Sequence, residues 1–162
     1  MPNAPRTPVE VAVTRLSTRP LLMLGALLAL AGCATVPLES PQEDAKGKQF
    51  APPPPDRGSL YVYRRGFMGA VVPIPVTIAN GMQTELAQST WVWLEGAPGT
   101  IDVKCTMSDG SGETAVNVGP GETHFVEVAF RPGLLGGRCA VKEVPAAEGR
   151  AAVLAGQRAV GP

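Results

Sequence analysis

The chain has 162 residues, with fourteen basic and fourteen acidic side chains, one histidine and three cysteines. That length fits one ordinary domain plus appendages, and a net charge of zero lacks the basic footprint of a nucleic-acid binder. Nineteen glycines and seventeen prolines favour short elements separated by turns.

The first segment reads as an export leader. Arg6, Arg15 and Arg19 precede an apolar run from Leu21 to Leu30, and Leu30-Ala31-Gly32-Cys33 closes it with two small residues before a cysteine. Pro20 and Gly32 bracket a stretch well short of the roughly 20 apolar residues a spanning helix needs. The Leu30-to-Cys33 run resembles a bacterial lipobox. The resemblance implies cleavage by signal peptidase II after Gly32, once Cys33 carries a diacylglyceryl group; residues 1–32 are then a cleaved lipoprotein signal peptide. A retained anchor helix and an ordinary signal peptide ending near Cys33 are the competing readings. No arginine pair precedes the apolar run, so the general secretory route is expected. Ala34, not Asp, follows Cys33, and by resemblance to the sorting pattern of enteric bacteria this implies the outer membrane, facing the periplasm. The inner membrane and the cell surface stay open. Two or three acyl chains would make such an anchor essentially permanent.

Without the charges of the leader, the remainder carries about −2, too little to steer binding to nucleic acid or to an anionic surface. Residues 33–57 read as the lipidated cysteine followed by a disordered, proline-rich tether. They contain Pro37, Pro41, Glu43, Asp44, Lys46, Gly47 and Lys48, and finish in Pro52-Pro53-Pro54-Pro55. A proline run favours polyproline II at roughly 3.1 Å per residue, a stalk that would lift the domain off the bilayer. A proline-rich ligand for a partner is the alternative.

From Gly58 to Pro145 short apolar runs alternate with turn residues. Ser59 to Arg64 is rich in aromatic and β-branched residues. Val71 to Ala79 follows, with Pro73 and Pro75 placing it at a sheet edge or a bulge. Asn80-Gly81 predicts a type I′ hairpin pairing Pro75–Ala79 with Met82–Leu86. Thr90–Glu95, Thr100–Thr106, Glu113–Val118, Thr123–Phe130 and Arg138–Val144 complete the set. The expected fold is all-β, an antiparallel β-sandwich or small barrel of seven or eight short strands over 58–145. The tail 146–162 is Ala-rich, interrupted by Gly149 and Gly156, and reads as a short helix or a frayed end.

Leu60-Tyr61-Val62-Tyr63-Arg64, Pro98-Gly99, Gly119-Pro120-Gly121-Glu122-Thr123-His124-Phe125-Val126, and Val141 to Val144 with Glu148-Gly149 resemble the DUF2846 family over residues 58–150. That family consists of small bacterial proteins, often lipoproteins, with no established activity. The resemblance implies a compact all-β domain and supplies no catalytic residue. This chain departs from it in having Ile101 two residues after Pro98-Gly99 and His124-Phe125 in place of an aromatic pair.

With Cys33 consumed by lipid, Cys105 and Cys139 remain, an even number in an oxidising compartment, and a disulfide is expected; two buried thiols are the alternative. The two cysteines and His124 lack any tight ligand spacing, so no metal or other cofactor is expected beyond the lipid on Cys33. No G-x-S-x-G elbow occurs, and Asp109-Gly110-Ser111-Gly112 lacks the further ligands of a calcium loop and the lysine of a P-loop. Trp91 and Trp93 share one strand face, as do Tyr61 and Tyr63: a sugar-stacking platform if exposed, core if covered. Two apolar loops, Phe67 to Val72 and Leu134-Leu135, occupy positions where turns favour polar residues. The sequence therefore points to a lipid-anchored, non-enzymatic accessory protein that contacts a membrane and an envelope partner. Carbohydrate or small-ligand binding is the alternative, with an envelope hydrolase third.

Overall fold

A computed structural model describes residues 35–161. Among these residues nine strands form two sheets: β1 (Gly58–Arg64), β2 (Ile74–Ile78), β3 (Met82–Leu86), β4 (Thr90–Gly96), β5 (Gly99–Met107), β6 (Gly110–Val118), β7 (Thr123–Pro132), β8 (Gly137–Val144) and β9 (Gln157–Arg158). One sheet has the order β8-β7-β1-β4-β9 and the other β3-β2-β5-β6, a β-sandwich-like arrangement with no closed barrel. Two short helices flank them, α1 (Pro41–Gly47) and α2 (Ala146–Ala155).

Side chains alternate across the five-stranded sheet as its pleat requires. Leu60, Val62, Val92, Val126 and Val128 point toward the second sheet, where they meet Ile74, Val76, Ile78, Leu86, Val103 and Val116. Tyr61, Tyr63, Trp91 and Phe125 point the other way and form a second buried cluster with Val144, Val153, Phe50 and Trp93. The described residues thus form three layers, with a helical cover over the aromatic face. Gly149 of α2 sits on the Phe125 ring, and Gly47 of α1 sits on the Trp91 ring; a Cβ at either would collide with it.

The helical cover corrects the tether. Ser40 caps α1 by accepting the Glu43 N–H at 3.2 Å. Pro41 fills the first helical turn, where a missing N–H is harmless, and Glu43 and Asp44 face the positive helix end. Tyr61 Oη donates to the Gly47 carbonyl at 2.9 Å, Arg158 N donates to Asp44 at 2.7 Å, and Leu38 bridges to Ala159. Val36 and Pro53 are buried. Residues 36–57 are therefore part of the domain, and the proline run is a connector along its surface leading into β1. The tail is likewise structured, since α2 is followed by β9, which pairs in parallel with β4.

The strand expectations hold with three differences. β1 pairs in parallel with β7, so the sandwich is not wholly antiparallel. β2 lies inside its sheet, not at an edge; Pro75 is tolerated because β5 pairs only with Val76 to Ile78, leaving Pro75 opposite Glu85 of β3 alone. The hairpin register is shifted by one residue: Ile78 faces Met82 and the positive φ angles fall on Ala79 and Gly81.

Candidate functional site

Cys33 and its flanking Leu30, Ala31 and Gly32 lie outside the described residues. Cys105 and Cys139 form a disulfide, bridging 34 positions of sequence. It ties β5 of one sheet to β8 of the other. Gly112 makes that approach possible, because a Cβ there would strike the Cys139 carbonyl and Ala140.

Trp91 is fully buried and Trp93 half-buried. Tyr61 stacks between Trp93 and Phe125, with ring centroids 5.9 and 5.1 Å apart. Lys46 and Arg158 lie over the Trp93 ring at 5.9 and 5.3 Å. Burial pushes the phenols of Tyr61 and Tyr63 up to about 12, so both stay neutral. These aromatics are core beneath the helical cover, the covered alternative of the two that the sequence left open.

The two apolar loops behave differently. Phe67, Met68, Val71 and Val72 are exposed, as are Leu134 and Leu135, which are almost fully open to solvent. The fold brings both loops to one end of the sandwich, since β1 and β7 run side by side in the same direction. Gly69 and Gly137 both press against the Phe130 ring, which sits beneath the two loops.

Each loop is held by a polar device that sequence reading did not identify. Arg64 follows the inward alternation of Leu60 and Val62 and is buried. Its guanidinium donates to the carbonyls of Val72 and Gly69 at 2.6 Å, Leu86 at 3.0 Å and Met68 at 3.4 Å. Burial lowers its pKa from the usual arginine value. Four carbonyl dipoles thus hold the cation and fasten the loop to it. The signal was an arginine on the apolar side of a strand's alternation. Asp109, at the turn between β5 and β6, accepts N–H bonds from Leu135 and Gly136 at 2.9 and 2.8 Å. Its carboxylate fixes the β7–β8 hairpin tip, a structural role for the aspartate at this turn. Beside it an open cleft of about 620 Å³ is lined by Asp109, Pro132, Leu134, Leu135 and Arg138. Arg131 and Arg138 face each other across the hairpin, a like-charge pair that is unfavourable in an isolated strand pair.

His124 lies at the other end, near the start of β7. Its Nδ1 is 2.6 Å from Glu143 and its Nε2 3.0 Å from Glu122. Carboxylates only accept, so both ring nitrogens must donate and the imidazolium is the form that fits. Burial pulls the His124 pKa down, but the hydrogen bonds and charges of Glu143 and Glu122 outweigh it and the net shift is upward. Glu122 also accepts the Gly119 N–H at 2.8 Å, so the cluster closes the Gly119–Glu122 turn. A further ion cluster joins Arg65, Glu127, Lys142 and Glu148 and pins α2 to β7 and β8. Among the described residues, no helix is long and apolar enough to cross a membrane.

No family model matches the chain, and no solved structure matches it. It is similar to a protein of Haemophilus influenzae described only as uncharacterized, with 24% identity over 131 residues, covering 81% of this chain and 78% of that protein.

Proposed function

We propose that this chain is a lipid-anchored, non-catalytic accessory protein of the bacterial cell envelope that presents a protein-interaction surface. The observation that carries this reading is the apolar end: Phe67, Met68, Val71, Val72, Leu134 and Leu135 stand in solvent on two loops that Arg64 and Asp109 hold in place. Single exposed hydrophobes are ordinary, whereas a rimmed cluster marks a contact surface. Polar groups are committed to displaying these side chains, which is the reverse of what a free surface needs. The leader and Cys33 supply the anchor in this reading, and the resemblance to DUF2846 fits a small envelope domain. The sugar-binding alternative loses its platform where Trp91 is covered.

The test is in-cell crosslinking of the tagged full-length protein, followed by detergent extraction and mass spectrometry. One reproducible envelope partner is expected, lost in Phe67→Ser/Met68→Ser or Leu134→Ser/Leu135→Ser while the melting temperature is unchanged. Failure to recover a partner under conditions that capture a known envelope complex overturns the interaction reading. Unchanged processing and membrane retention in Cys33→Ser overturns the anchor.

A further inference from the structure

The order of residues 36–57 changes how an anchor at Cys33 would hold the domain. Val36 is already buried in the core between the sheets, Pro37 accepts the Val160 N–H at 2.9 Å, and Leu38 bridges to Ala159. Only Ala34 and Thr35 separate Cys33 from Val36. Three Cα steps span at most about 11 Å, so a lipid on Cys33 leaves no stalk.

The strand registers say which part of the domain that short reach serves. Ala159 N bonds Trp91 O, which sets it level with Val92, and Val92 pairs through Val62 to Val126. Pro132, at the base of the apolar hairpin, is six residues further along β7, or about 20 Å at the rise of a strand. It also lies three strand spacings across the sheet from β9, about 14 Å. The antiparallel bridge of Leu38 to Ala159 means that the chain, traced back toward Cys33, runs away from that end. The anchor and the apolar hairpin therefore occupy opposite corners of the five-stranded sheet.

Beside the point where the chain joins the domain, Leu38 and Val160 are about half exposed (45% and 47%), and Met82 is exposed. Thr84 of β3 donates to the Val160 carbonyl, so β3 and the β9 segment make one continuous edge. Residues 37–39, 82–85 and 160 include Glu39 and Glu85 and no lysine or arginine, so charge does not recruit this edge to an anionic surface, and the short covalent reach from Cys33 is what brings it to the headgroups.

We propose that, with Cys33 lipidated, the edge formed by residues 37–39, β3 and Val160 rests on the phospholipid headgroups of the membrane that holds the anchor, while the apolar end is held clear of that membrane. This rests on the lipid anchor proposed above. Laying the sandwich flat on its four-stranded sheet so that both corners touched one bilayer would instead press a charged face, with exposed Asp102, Lys104 and Glu113, against the headgroups.

The experiment uses full-length lipidated protein in vesicles of phosphatidylethanolamine and phosphatidylglycerol, with a fluorophore on Leu38→Cys or on Leu135→Cys and a nitroxide quencher on the lipid headgroups. Loss of most emission at position 38, with emission at position 135 retained, is the expected result. Thr84→Cys on the same edge is the second reporter if Leu38→Cys perturbs folding. Retained emission at both 38 and 84 means a stalk and overturns the seating, and quenching at 135 overturns the orientation. The mass of the peptide bearing Cys33 separates the two readings. A lipid present without quenching at the edge refutes the seating alone, whereas an unmodified Cys33 refutes the anchor and the seating with it.

Discussion

Replacing Arg64 with methionine tests whether the exposed loop is held by the buried guanidinium. Methionine keeps most of the apolar stem and removes the donors, so the comparison isolates the four carbonyl contacts. Two effects oppose each other. Burial of a cation that no carboxylate neutralises is costly, and its removal is a gain; each charge-assisted bond is worth about 1.5–3 kcal/mol net, and a carbonyl left dry costs about 1–3 kcal/mol. The carbonyls of Met68, Gly69 and Val72 sit in a surface loop that can open to water, whereas the bond to Leu86 is buried. Global destabilisation in Arg64→Met is therefore set by the Leu86 carbonyl and lost loop packing, at about 2 kcal/mol. For a domain of this size that lowers the melting temperature by roughly 6–8 °C. The local effect is larger. Ala70 N–H and Val72 N–H, which bond to Phe67 and Gly69 within the loop, should exchange with solvent far faster in the variant, while amides of β1 and β7 slow or speed only with global stability. Thermal unfolding by circular dichroism and amide exchange by mass spectrometry measure the two parts. An Arg64→Met protein that melts within a degree of wild type, with Ala70 and Val72 protected as before, refutes the assignment.

The disulfide is expected to contribute about 3–4 kcal/mol through the unfolded chain, so reduction, or Cys105→Ala/Cys139→Ala, should lower the unfolding free energy by that amount and the denaturant midpoint by that energy divided by m; an unchanged midpoint counts against it. His124 gives the stability a pH dependence of known sign. Because its folded-state pKa is raised above the ordinary value of 6.5, its contribution is complete below that value and disappears as pH rises through the folded-state pKa. Solvent screening keeps the effect under about 1 kcal/mol. His124→Gln should flatten that part of the stability profile, and an NMR titration placing the imidazole at or below 6.5 would contradict the assignment.

The strands were legible because their turns are written in residues with few conformational alternatives. Gly119-Pro120-Gly121, Ala97-Pro98 and Asn80-Gly81 all fall between strands. What was not legible depends on contacts far apart in sequence. The parallel pairing of β1 with β7 joins segments about 60 residues apart, and nothing local encodes it. Asp109 appears as a turn residue until the hairpin tip of β7 and β8 comes to lie against it. The reading of 33–57 as a tether is corrected over 36–57, and it missed the order there for a different reason. Ser40-Pro41-Gln42-Glu43 has the spacing of a capping box with proline at the first helical position, but the surrounding prolines resemble a linker, and composition outweighed the start signal.

A stronger clue lay in β1 itself. A strand with one face in solvent alternates apolar and polar residues, whereas Ser59-Leu60-Tyr61-Val62-Tyr63 is large and apolar on both faces from Leu60 onward, the pattern of a strand covered on each side. Trp91-Val92-Trp93 and Phe125-Val126 repeat it in β4 and β7, the two neighbours of β1. The second sheet can cover only one face of the first. Three adjacent strands with aromatics on the remaining face require a further layer, and the strands from β1 to β8 leave only the flanking segments to provide it. A segment recruited to bury Tyr61, Trp91 and Phe125 cannot also be a free stalk, so the aromatic alternation of the central strands determines how far the domain can stand from an anchor at Cys33.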